Sequence, residues 1–151
     1  MYVTAEARQN LLDEIARAID ELGVALAALG DAYELLDERS ADTLEEQLFR
    51  PVQTAYGKAK RTHAEFAARH SLPTRQFAAM PSGAASHGVK GFLEATVESV
   101  EESDALLAEL QDSLLPVEVG DAQVRAELSD LRELMTHMPQ QARELVRTIG
   151  R

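Results

Sequence analysis

The sequence predicts an all-α fold, an antiparallel up-down-up-down four-helix bundle, and three observations carry that expectation. Apolar residues recur in alternating steps of three and four along most of the chain, which is the spacing of one buried face on a helix. The composition is helical: 45% apolar but only 5% aromatic, with no Trp, Ala and Leu as filling, and Glu and Arg to coat the outside. The periodic segments are near-equal in length, and the first and third connections are short, which favours antiparallel neighbours crossing at small angles. At 151 residues the chain fits one domain over 1–151.

The first helix is predicted over 5–38. Thr4 can cap it, and Glu6 favours its positive end. Leu12, Ile15, Ile19, Leu22, Leu26, Leu29, Tyr33 and Leu36 keep one phase through Gly30-Asp31, so the helix runs on although Gly costs about 1 kcal/mol relative to Ala. Gly23, Ala27 and Gly30 share a face, which predicts the close approach of a neighbouring helix. Asp42-Thr43-Leu44-Glu45 has the pattern of a capping box. It opens a second helix over 43–70 that buries Leu44, Leu48, Val52, Ala55, Ala59, His63 or Thr62, and Phe66. Pro51 frees the Gln47 carbonyl and should kink this helix.

Residues 71–87 have no helical period and hold two prolines, a glycine and three serines. Structureless loops of this length are usually functional or disordered; Phe77 and Met80 are the residues that would anchor it to the bundle end. The third helix is predicted over 88–115, through Val89, Leu93, Thr96, Val100, Ser103, Leu107, Leu110 and Leu114, with Pro116 ending it. Gly120-Asp121 turns the chain and caps a fourth helix over 121–149, kinked at Pro139. Met135 and Met138 fall on its apolar stripe and read as core packing.

Charge is unevenly spread. Residues 50–90 carry seven Lys and Arg against the single acid Glu65, between flanks holding twelve acids to three cations and thirteen to five. In the predicted topology the long loop and both termini form a basic tip and the two short connections an acidic one. The net charge of -11 repels nucleic acid and anionic membrane. No apolar run approaches the ~20 residues of a membrane span, and the N-terminus has no signal-peptide pattern. The absence of Cys excludes disulfides, thiolate metal sites and a Cys nucleophile, and fits a cytoplasmic location.

The small residues before the third helix, with free N–H groups at its start, suit an anion. The candidate anion site is therefore Arg69, Arg75, Ser86, His87, Gly88 and Lys90. No strand precedes it and no P-loop pattern is present. His63 and His70 are seven residues apart, ~10.5 Å along a helix, too far to share one ion. There is no Glu-x-x-His, so neither metal nor cofactor is expected. Lys58, Lys60 and Arg61, beside Tyr56, have the residue types of a nucleic-acid contact but read as a solvated basic face in so acidic a chain. No Ser/His/Asp arrangement can be assigned. These observations point to a non-enzymatic interaction or assembly module whose partner is a protein or a second copy in a homodimer. The alternative is a small-anion binder or enzyme using the basic 71–90 end.

Overall fold

The computed structural model describes residues 2–81 and 88–149. Helix α1 (Tyr2–Glu34) passes through Gly30 without a break. It stops four residues before the expected end, where Leu35 and Leu36 bond back to Ala32 and Tyr33 in tighter i→i−3 turns. The next cap is Asp37 rather than Asp42: its carboxylate accepts the Ser40 N–H at 2.8 Å. Then α2 (Glu38–Leu44), a π turn (Glu45–Phe49) and α3 (Arg50–Arg69) follow as one uninterrupted rod. The Arg50 N–H reaches back five residues to the Glu45 carbonyl. That widened turn comes just ahead of Pro51, which sits in the first turn of α3, where a missing N–H is tolerated.

After α4 (Gly88–Asp112) comes a single turn, α5 (Leu115–Glu118), then α6 (Ala122–Met135) and α7 (Met138–Ile149). Pro116 does not simply stop a helix; it opens α5 and is buried there. The fourth expected helix is two helices. Pro139 cannot donate to the Met135 carbonyl, and the chain breaks at Thr136-His137 rather than kinking. Five long helices build the bundle among the described residues, not four: α1, the α2–α3 rod, α4, α6 and α7.

Their order also differs from expectation. Tyr33 faces Phe49, and Gly23 lies beside Tyr56, so α3 runs antiparallel to α1. Ser103 donates to the Ala18 carbonyl and Arg8 to the Val119 carbonyl, so α4 is antiparallel to α1 as well. Gln123 meets Glu65 and Gln141 meets Gln47, while Arg132 meets Asp104; α6 and α7 therefore run with α1. The topology is up-down-down-up. Its cause is the segment after α3, a strap whose residues 72–81 climb beside α1, with Arg75 at Asp20 and Ala78 at Gly23. An extended chain covers about 3.3 Å per residue, so this segment has the length to return the chain to the far end. The polar-rod picture of one basic and one acidic tip falls with the predicted order.

α1 packs most extensively on α4. Ala18, Ala25 and Ala32, at seven-residue spacing, are buried on one face of α1, and Ser99 and Ser103 are buried on α4. Small side chains let the two backbones approach. Leu11, Leu12, Ile15, Ile19, Leu22 and Leu29 are fully buried. The buried hydroxyls of Thr62 and Thr96 donate to carbonyls one turn back, which removes the cost of hiding them. Among the described residues no helix is long and apolar enough to cross a membrane.

Candidate functional site

Burial of Ala59, Thr62, His63 and Phe66 in the core turns Gly57, Lys60, Arg61 and Ala64 outward on α3. The strap forms the facing wall. Its Phe77 ring stands edge-on against His63, centroids 5.2 Å apart. Arg75 lies over Phe77 at 4.6 Å and binds both oxygens of Asp20 at 2.9 Å. Side chains hold this segment: among the described residues no backbone–backbone hydrogen bond involves 73–81. Gly23 of α1 makes room, since a Cβ there would stand 3.3 Å from the Ala78 carbonyl oxygen. The close neighbours of this glycine are the strap first and then the Tyr56 ring of α3, 3.7 Å from that Cβ, and among the described residues nothing lies within 4 Å of a Cβ at Gly30.

Between the two walls lies a shallow trough of about 530 Å³, lined by Lys60, Arg61 and Ala64 on α3 and by Arg75 and Phe77 on the strap. Lys60 Nζ sits 4.4 Å above the Tyr56 ring. Among the described residues neither Lys60 nor Arg61 has a carboxylate within ion-pair distance, whereas Arg75, Lys58 and Arg69 are paired to Asp20, Asp130 and Asp121. Beneath the strap His63 is 3% exposed. Burial, then the Arg75 charge, pushes its pKa down against a weaker pull from Asp13, a net shift that favours the neutral ring. Burial and Asp20 push Tyr56 up, and its buried hydroxyl has no hydrogen-bond partner among the described residues.

Of the residues singled out for an anion site, those that are described, Arg69, Arg75, Gly88 and Lys90, do not converge. Arg69 forks onto Asp121 at 2.8 and 3.0 Å, and His70 Nε2 contacts the same carboxylate at 2.9 Å. Asp121 also accepts the Val124 N–H, the cap expected for this helix start. Burial pushes its carboxyl up, but the hydrogen bonds from Arg69, Val124 and His70 prevail and hold it far below the usual range. Arg75 is spent on Asp20 at mid-bundle. Gly88, at φ +66, opens α4, and exposed Lys90 follows at the end away from Arg69, ~33 Å of helix above Asp112. Ser86 and His87 lie outside the described residues. Among the described residues no cluster of three or more His, Asp or Glu could hold a metal.

The trough itself was only half visible in sequence. The run Lys58-Ala59-Lys60-Arg61 was evident as a basic face, but its partner wall depends on the route of the strap. Comparison with known proteins gives no match: no family model, curated protein or solved structure matches the chain.

Proposed function

We propose that this chain is a non-enzymatic interaction module that docks an acidic stretch of a protein partner in the trough between α3 and the strap. The small all-helical fold shows no enzyme-signature motif among the described residues. The observation that carries the reading is the pair Lys60 and Arg61. In a chain with 26 acids and 15 Lys and Arg, two adjacent cations face a trough with no carboxylate of their own. Arg75, the cation of the strap wall, is by contrast paired to Asp20. The trough is open along its length and has an apolar floor at Ala64 and Phe77, which suits a macromolecular segment better than a small molecule left half in water.

The test is fluorescence anisotropy of a labelled oligo-glutamate peptide titrated with the protein. Binding that weakens as salt is raised, and that is lost in K60E/R61E, supports the reading. Binding unchanged by K60E/R61E, or none at low salt, overturns it. Inorganic phosphate titrated in parallel tests the small-anion alternative at the start of α4 beside Lys90: amide shifts confined there would favour it.

A further inference from the structure

Deepening the docking reading, and resting on it, we infer that the acidic segment that fills the trough belongs to a second copy of this chain: the α2–π segment of one protomer lies in the trough of the other, and the reverse contact forms at the same time. The rod that supplies the trough carries its own complement. Glu38, Asp42 and Glu46 are exposed at four-residue steps over its first turns, with Glu45 beside them. Beyond the π turn the same exposed stripe passes through Arg50, half-buried Gly57 and exposed Arg61. One half of the stripe is acidic and the other half basic.

A stripe of this kind is complementary to itself when reversed. Glu45 and Glu46 stand fifteen residues before Lys60 and Arg61, ~22 Å along a helix axis. Two rods laid antiparallel about a two-fold axis near Gln53 place the acidic pair of each opposite the basic pair of the other. Both contacts form at once and the assembly closes as a dimer, whereas a tip-to-tip contact would propagate into chains. The neutral centre, Gln53 and Thr54, places no charge against itself on the axis. Charge complementarity of this sort selects register and orientation. The strap adds Arg75 and Phe77 to the wall that receives the incoming helix.

The decisive experiment is the mass of the full chain by light scattering at tens of micromolar, in low and in moderate salt. The wild type is expected to be a dimer that dissociates as salt rises. E45K/E46K and K60E/R61E, each alone, should raise the half-dissociation concentration at least about tenfold. The two variants mixed, and the fourfold swap E45K/E46K/K60E/R61E, should dimerise again; damage to folding would not be repaired in that way. A wild-type monomer under all these conditions, or a dimer indifferent to both reversals, overturns the self-partner. The oligo-glutamate titration fails separately: a monomer that still binds the peptide keeps the docking site and loses only the second copy as its occupant.

Discussion

The two sides of α1 are secured by different physics. Toward α4, small residues interlock: Ala18, Ala25 and Ala32 are buried on one face, and Ser103 donates to the Ala18 carbonyl at 2.8 Å. Toward the strap, a glycine, one aromatic edge and one forked ion pair hold a segment with no backbone ladder among its described residues. The first contact is fixed by shape and tolerates little change in volume. The second is a set of separable side-chain contacts, each of modest strength. The difference teaches where the molecule can respond to a partner. Local opening is cheapest where few apolar contacts and few backbone hydrogen bonds must be broken, and that is the wall of the trough.

The contrast can be broken at five positions. The largest effect is expected from Ala18→Leu, which forces a long side chain into the α1–α4 seam and costs about 1–3 kcal/mol, measured as a lower urea midpoint. An unchanged midpoint would mean the seam is not shape-limited. Asp121→Ala comes next. It removes the α6 cap and the anchor of Arg69 and His70 at the root of the strap, for about 1–2 kcal/mol. Because the folded carboxyl lies below its ordinary 3.8, that stability is fully present above this value and is lost as pH falls below it. The wild type should therefore lose stability in acid where the variant does not.

Phe77→Ala removes the ring that covers His63 and costs about 1 kcal/mol. With less burial the His63 imidazole should titrate closer to its ordinary value, read from its proton shifts. The sign follows from the lowered pKa. His63 contributes stability that is present above its ordinary 6.5 and is lost as pH falls toward the lowered value, and the variant should show a smaller loss. The smallest effect sharpens the comparison most. Gly30→Ala meets nothing within 4 Å among the described residues and should stabilise α1 by about 0.5–1 kcal/mol. Gly23→Ala gains the same helix preference but presses on the Ala78 carbonyl. The difference between the two melting temperatures therefore reports how tightly the strap and Tyr56 crowd Gly23.

Much of the helical content was legible in the residues. The apolar phase from Leu12 to Leu36 carried α1 across Gly30, and Gly120-Asp121 marked the start of α6 through a cap that local chemistry alone dictates. Asp37 was missed because Asp37-x-x-Ser40 and Asp42-x-x-Glu45 both offer an acid three residues before a helix position, and only the tertiary arrangement chooses between them. The break at Thr136-His137 could be placed at Pro139 but not graded between kink and rupture, since that depends on what packs on both sides. The direction of residues 71–87 has no local signature at all. A loop that turns and a strap that crosses share one composition, and Arg69, Arg75 and Lys90 are neighbours in sequence without being neighbours in space. Half the trough was hidden for the same reason.

The crossing strap also has a kinetic consequence. Ser103 and the Ala18 carbonyl it bonds are 85 residues apart in the chain, so the most extensive helix pairing in the molecule is among its least local. The equilibrium penalty for closing so long a loop grows only slowly with its length, but the rate of folding falls as mean sequence separation rises. Helices of this size form in about a microsecond or less. The bundle should therefore fold more slowly than one of equal size whose helices meet in chain order, with most of its helical signal appearing before the α1–α4 seam closes.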